Sequence, residues 1–508
     1  MTSTFHGLEV AKRALFTQQS ALYTTSHNIA NANTEGYSRQ RVTFEQTSAY
    51  PAPGRNRPEL PGQLGTGVKA GQIERIRDKF LDYQYRIENN KAGYWGVRQE
   101  SLSRLEDIMN EPSEAGLGKV MDQFWESLQI LATHPEDEGA RRVVIQRGVA
   151  VADTFKYLNE SLQNVQGEIR NQLGTDALEV NSLLNQIHGL NEQIARIEPN
   201  GYLPNDLYDK RDALIDQLTE HVDVTVTYEP SGGHALDSAM GRAVITLNDA
   251  NGEPLIGADD EPITLIDEDN NVQGIQVTFS DGSINQVSIG QLNEDGEVEN
   301  ATHQFSPGAF PTTGALKGLI ESHGYTNADG EPVGIYESIL KDLDDLAAAF
   351  ITEFNDAHAE GMDLDGEAGQ EFFSGTGAGD MGVNITDPRH VAASLDGAPG
   401  DGRNALNLAL VRNNGTVGDG DTSIQKFYEG MIGEIGVMAE EANRMVSNSE
   451  ILRLSVDSNR QSVSGVSLDE EMTNLIKFQH AYNAAARNMT VVDEMLDRVI
   501  NQMGIVGR

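Results

Sequence analysis

Chemistry in a chain is usually announced by a few residue types at fixed spacing, and this sequence offers few. Its eleven histidines are scattered singly. None stands in a His-x-x-x-His or His-Glu-x-x-His arrangement, the spacing that would put two imidazoles on one helix face for a metal. With no cysteine, disulfides, zinc–thiolate sites and thiol catalysis are excluded. Gly377-x-Gly379-x-x-Gly382 has the form of a dinucleotide fingerprint. Val383-Asn384-Ile385-Thr386-Asp387-Pro388 follows it, which is no helix, so phosphates would find no helix N-terminus. Asp249-Ala250-Asn251-Gly252-Glu253 and Asp363-Leu364-Asp365-Gly366-Glu367 faintly resemble calcium loops but lack the EF-hand spacing and its terminal bidentate Glu. Turn chemistry accounts for them better. No Gly-x-Ser-x-Gly elbow or P-loop is present. The sequence predicts no catalytic, cofactor or metal residue, and nothing in it asks for an enzyme.

The informative spacing is apolar. Leu468, Met472, Leu475, Tyr482, Ala486, Met489, Leu496, Ile500 and Met503 recur in alternating four and three steps, broken only by Gln479 and Asp493. That is a heptad seam of about five heptads. Ser467 and Glu470 have the spacing of a capping box at its start. The same period opens the chain at Leu8, Leu15, Leu22 and Ile29, with Ala11 and Thr25 between. The two ends can share a seam only if they meet in space, with the Leu8/Leu15/Leu22/Ile29 face on the Leu475/Tyr482/Met489/Leu496 face. An ordinary pair of core helices would show the same pattern.

Composition bounds the partners. The 508 residues suggest about three domains. Hydrophobic residues make up 38% and aromatics 6%, which predicts aliphatic helix contacts and not one large aromatic core. The net charge of −41 offers nothing to neutralise phosphates, so neither nucleic acid nor an anionic membrane is expected as a partner. The first residues have no basic and apolar regions of a secretory signal, and no run of about 18 apolar residues exists to span a membrane.

In chain order, residues 3–31 read as an amphipathic helix, ended by the Asn- and Gly-bearing stretch Asn28–Gln40. Residues 45–75, rich in Pro and Gly (Pro51, Pro53, Pro58, Pro61), read as a linker with a strand at Val68–Ile76. Helices are predicted at about Asp78–Met109, Leu117–Ala132, Asp137–Ile197 and Asp206–His221, the last leading into a strand at Val222–Tyr228. Residues 229–316 lose helical period. Short β-type runs at Arg242–Leu247, Ile263–Ile266, Ile275–Phe279 and Gln286–Ile289 are separated by Asn/Asp/Gly turns, and no Lys or Arg occurs from Ala243 to Ala315. Helical period returns at Ile335–Ala359, gives way to a Gly/Asp-rich loop region up to about Asp401, and resumes at Thr422–Val463 before the terminal seam. The expected fold is mainly α with an inserted β domain. Its domains are discontinuous: 1–45 with 466–508 as a terminal coiled coil, 46–228 with 317–465 as a long-helix body, and 229–316 as a small antiparallel insert.

At this point the residues resemble a family. Gly7-Leu8, Ala14-Leu15, Gln19-Ser20-Ala21-Leu22 and Ser26-His27-Asn28-Ile29-Ala30-Asn31-Ala32-Asn33-Thr34-Glu35-Gly36-Tyr37-Ser38-Arg39-Gln40 look like the N-terminal motif of the bacterial flagellar rod, hook and hook-associated axial proteins. Tyr37-Ser38-Arg39-Gln40 is most like the junction members. Four further stretches are similar in the same order: Asn205–Asp212; Gly361–Gly366 with Phe372-Phe373; Val391–Ser394 with Asn404–Leu406; and Val463–Glu471 onward. The resemblance covers both ends and the helical part and is weak only in the β region.

The resemblance implies a structural protein joining hook to filament, exported through the flagellar type III apparatus without a cleavable signal. It implies as partners copies of the chain itself, the flagellar hook protein, the second hook-associated junction protein and a flagellar export chaperone. The assembly residues it implies are Leu8, Leu15, Leu22, Ile29, Leu468, Met472, Leu475, Tyr482, Met489, Leu496 and Ile500, with Asn28, Asn31, Asn33, Gly36 and Tyr37 at the turn. Those five read either as neighbouring-subunit contacts or as a turn within one subunit. Two alternatives stand beside this reading: another axial protein, either the second hook-associated junction protein or the hook protein, whose bulk would be β, and an acidic calcium-dependent adhesin working through the insert.

Overall fold

The computed structural model describes residues 5–55, 62–109, 116–257, 260–280, 282–293, 296–327, 329–418 and 422–502. The expectations for Pro58, Pro61 and Met503 fall outside these.

Helix α1, His6–Ala30, opens the chain. Strand β1, Gln40–Gln46, pairs antiparallel with β2, Val68–Arg75, across a bulge between Val42 and Phe44. In its described residues the Pro- and Gly-rich stretch is therefore no linker but part of a ribbon folded back on α1. Thr17 Oγ1 donates to the Val68 carbonyl at 3.3 Å and Arg13 Nη1 to that of Thr66 at 3.2 Å. Helices α2 (Lys79–Met109), α3 (Leu117–Thr133), α4 (Glu138–Ile197) and α5 (Asn205–His221) follow close to their expected limits. Asp137 caps the 60-residue α4, its side chain accepting the Gly139 N–H.

Two three-stranded antiparallel sheets come next. The first has the order β3 (Val224–Glu229), β4 (Arg242–Leu247), β5 (Thr264–Ile266). The second runs β6 (Gln273–Ser280), β7 (Ser283–Leu292), β8 (Val298–Phe305). Strand β8 is not apparent in the sequence, because most of its residues are polar and exposed. Helices α6 (Ala315–His323), α7 (Ile335–Ala359), α8 (Arg403–Asn414), α9 (Ile424–Ser464) and α10 (Leu468–Asp497) complete the chain. Both α6 and α8 are short and flanked by Gly or Asn, which hides them. The buried face of α8 includes Ala405, Leu408 and Ala409.

Four hairpin tips share one design. Asp249–Glu253, Asn293–Glu297, Asn327–Glu331 and Asp363–Glu367 each place Gly fourth, at φ +79°, +81°, +83° and +79°. In each, the first residue's N–H donates to the fifth carbonyl, the Gly N–H to the first carbonyl, and the fifth N–H to the first side-chain oxygen. The Asp or Asn thus organises its own turn, and Gly supplies the left-handed residue. The two stretches that resemble calcium loops belong to this set.

The expectation of no aromatic core is corrected. Phe124, Trp125, Phe155, Phe350, Phe354, Phe372 and Phe373 are all at most 1% exposed and form one cluster between α3, α4, α7 and the segment after α7. Aromatics are few, but four separate segments deliver them to one place. Gly148 on α4 makes room, since a Cβ there would lie 2.8 Å from the Phe372 ring.

Candidate assembly site

Helices α1 and α10 pack against each other antiparallel. A Cβ on Gly7 would lie 3.4 Å from Val492 Cγ2, and at the other end Asn28 Nδ2 donates to Glu471 Oε2 at 3.1 Å. The covered face of α10 is Glu471, Leu475, Phe478, Tyr482, Ala485, Met489, Val492 and Leu496, an unbroken alternation of four and three steps, every one buried or half-buried. Leu475, Tyr482, Met489 and Leu496 were expected there. The second row was not: it runs through Glu471, Phe478, Ala485 and Val492 instead of Met472, Gln479, Ala486 and Asp493. Gln479 and Asp493 broke the expected line because that line lies off the seam.

Met472 is accordingly 53% exposed. Leu468 and Ile500 are exposed for another reason: in this register they fall opposite positions beyond the two ends of α1.

On α1 the row Gly7, Ala14, Ala21, Asn28 faces the seam, with Ala11 and Thr25 beside it. Small residues let the helix axes come close. Leu8, Leu15, Leu22 and Ile29 lie one position round, half-buried on the flank. The opposite side of α1 carries Phe16 and Tyr23, 57% and 67% exposed and seven residues apart.

The turn after α1 is a polar joint. Asn28 is 1% exposed. Its Nδ2 donates to the Gln40 carbonyl at 2.8 Å, and its Oδ1 accepts the Gln40 N–H at 3.0 Å and the Tyr37 hydroxyl at 2.8 Å. The Asn28 side chain thus makes its hydrogen bonds within its own subunit, as a turn within one subunit requires. Burial, then the charges of Asp206, Asp209 and Glu471, push the Tyr37 phenol far up, so it remains a neutral donor. Asn31 caps α1 by donating to the His27 carbonyl at 3.0 Å. Gly36 sits at φ +76°, where a side chain would be strained. Asn33 and Gly36 are exposed. Arg39 closes the joint, with Nε 2.8 Å from Glu471 and Nη1 2.7 Å from Glu470. The expected capping box is not formed: Ser467 makes no side-chain cap bond, and the Glu470 carboxylate that would reach back to it pairs with Arg39.

Beneath the joint lies a buried charge cluster. Asp209, Asp212 and Asp216 share one face of α5 at three and four steps. Arg75 reaches Asp209 at 2.7 Å and Asp212 at 2.9 Å; Arg77 reaches Asp212 at 3.1 Å and Asp82 at 2.8 Å. Arg86 and Arg460 take Asp216 at 2.9 and 2.5 Å. Burial opposes ionisation of Asp212, but Arg77, Arg75, Arg86 and Arg211 outweigh it and hold the carboxyl well below its usual range. Ser38 N–H also donates to Asp209 at 3.1 Å. The cluster joins the ribbon, α2, α5 and α9. Sequence spacing alone did not single it out, although three aspartates on one helix face were its signal.

The architecture has relatives. A family model described as the flagellar hook-associated protein FlgK helical domain matches residues 102–373. Models for the flagellar basal body rod protein and for the flagellar basal body rod FlgEFG protein C-terminal match residues 8–37 and 458–503. Flagellar hook-associated protein 1 of Bacillus subtilis is 47% identical over the whole of both chains. The Salmonella typhimurium protein of that name is 23% identical over 97% of this chain and 98% of its own. The structure of the flagellar hook junction protein FlgK from Burkholderia pseudomallei aligns with TM-score 0.58 at 13% identity, covering 75% of this chain and all of that one. The chain belongs to the flagellar hook-associated protein 1 (FlgK) family.

In this FlgK-family chain the two rod-type segments are the two that meet: 8–37 supplies α1 with its joint, and 458–503 supplies the end of α9 and α10. The formal dinucleotide motif is a turn, with Asp380 Oδ1 taking the N–H groups of Thr376 and Gly377 at 2.9 Å each. Asp363, Asp365 and His390 lie within metal-holding distance, but Asp363 already accepts two backbone N–H groups and Asp365 pairs with Arg389. Among the described residues no helix is long and apolar enough to cross a membrane.

Proposed function

We propose that this chain is the structural adaptor joining the flagellar hook to the filament, without enzymatic activity, outside the cell and exported without a cleavable signal. The carrying observation is the antiparallel α1–α10 seam: the segments that match rod-type models pack together, while Phe16 and Tyr23, Met472, and Val491 and Met495 remain exposed on the same pair. An apolar surface of this kind marks an interaction site. Copies of the chain would use it to assemble laterally in a tube, with the hook protein on one side and the second hook-associated junction protein on the other. An export chaperone would cover such surfaces before assembly.

The three parts, 1–45 with 466–508, 46–228 with 317–465, and 229–316, would divide the labour as inner wall, body and outer projection. The β1–β2 ribbon and the β3–β4 pair straddle the boundaries at 45 and 228 and tie the parts together. The assembly residues proposed are Leu475, Tyr482, Met489 and Leu496 in the seam and Leu8, Leu15, Leu22 and Ile29 on its flank, with Leu468, Met472 and Ile500 at the exposed rim and Asn28, Asn31, Asn33, Gly36 and Tyr37 at the turn.

A strain lacking this chain should build hooks and shed filament protein into the medium, and the wild-type chain should restore attached filaments. Filaments firmly attached to hooks in that strain would rule out the adaptor role. Millimolar calcium should leave the Tm of the full chain nearly unchanged, whereas a calcium-dependent adhesin would gain stability sharply.

A further inference from the structure

We propose that Asp176, Glu179 and His221 form a site for a divalent transition-metal ion such as Zn2+, stapling the end of α5 to α4 where the β strands begin. Asp176 and Glu179 stand three apart on α4, so both carboxylates rise from one face. His221 is the last residue of α5. One donor atom from each lies within 4.8 Å of the others. His221 Nδ1 is already 2.7 Å from Asp176 Oδ1.

Two observations separate this triad from an ordinary ion pair. Asp176 Oδ2 is shielded from solvent and has no hydrogen-bond partner. A buried carboxylate oxygen without a partner asks for a water or an ion. The second is charge. The aspartates beneath the joint are each met by arginine, whereas no ion pair among the described residues joins a Lys or Arg to Asp176, Glu179 or Glu220. Carboxylates that no Lys or Arg meets favour a positive charge beside them, and a metal ion can supply it.

One imidazole nitrogen with two carboxylates suits zinc and its neighbours better than calcium or magnesium, which prefer all-oxygen shells. Bonds of about 2.0–2.2 Å require the Asp176–His221 contact to open from its 2.7 Å as the metal replaces the shared proton, and the exposed Glu179 side chain to swing inward. The staple would fix His221 immediately before Val222, which is fully buried, and Val224, where β3 begins. It would stiffen the joint between helical body and sheets.

The test is zinc binding to the metal-stripped full-length chain, followed by titration calorimetry and thermal unfolding. A single tight equivalent of Zn2+ and a raised Tm are expected, with calcium giving little. Glu179→Gln, at an exposed side chain, should keep the metal-free Tm and weaken zinc by about tenfold or more, the scale on which even outer-shell partners act. Cobalt in place of zinc should give visible absorption that weakens in the same variant. Zinc that leaves the Tm unchanged, or that binds Glu179→Gln and Asp176→Asn as tightly as the wild type, would overturn the site.

Discussion

Asn28 and Glu471, separated by 443 residues, meet through a 3.1 Å hydrogen bond inside the joint where α1 ends and α10 begins. Glu471 is 2% exposed and also takes Arg39 at 2.8 Å. One carboxylate thus ties both ends of the chain to the ribbon.

Glu471→Ala should therefore loosen the terminal pair by about 2–3 kcal/mol, because a buried carboxamide and a guanidinium lose their acceptor. Hydrogen exchange should speed up in residues 6–30 and 468–497 while α4 and α7 keep their protection. Uniform destabilisation of the whole chain would contradict the joint as drawn.

Ala21 is 1% exposed in the close seam. Ala21→Leu should cost about 1–3 kcal/mol by overpacking. Leu15→Ala, on the half-buried flank, should cost less. Limited proteolysis of the two variants at one temperature would rank them, and the reverse order would show that the leucine row, not the alanine row, faces α10.

Asp212→Asn should destabilise the body by about 3–5 kcal/mol, since Arg75, Arg77 and Arg86 would remain buried without their shared anion. The Tm of the full chain measures it. A drop matching a typical exposed substitution, within about 0.5 kcal/mol, would mean that Asp209 and Asp216 suffice.

His358 is buried and neutral, with Nε2 accepting the Ala392 N–H at 2.9 Å and Nδ1 bonding the Gln370 carbonyl at 2.6 Å. Burial pushes its imidazole down to about 4. The unfolded chain takes up this proton near pH 6.5 and the folded chain does not. Stability should be complete above about pH 6.5, fall by up to about 3 kcal/mol as the pH drops towards 4, and level off below. The excess acid loss of wild type over His358→Asn isolates the effect. Parallel pH curves for the two would refute it.

Much of this was legible in the sequence, for identifiable reasons. Helix limits at Leu117, Ile197, His221 and Ala359 follow from long uninterrupted periods flanked by Gly, Pro or Asp. The terminal seam was half legible. Leu475, Tyr482, Met489 and Leu496 are apolar and stood out, but the partner row contains Glu471, and the facing row of α1 is Gly7, Ala14, Ala21 and Asn28. Small and polar seam residues leave no hydrophobic signal. The charge cluster was hidden because Arg75 and Arg77, Asp212, and Arg460 come from three distant segments, and only the fold brings them together.

The central claim is that the exposed side of the terminal pair joins copies of this chain onto the hook. Electron microscopy of purified chain mixed with bare hooks, and separately with filament fragments, tests it most directly. Wild-type chain should cap the distal hook end and add nothing to filaments. Phe16→Asp with Tyr23→Asp should keep the wild-type Tm, both residues being exposed, yet leave the hooks bare. Capping by that double variant, or binding of the wild type to neither structure, would contradict the account.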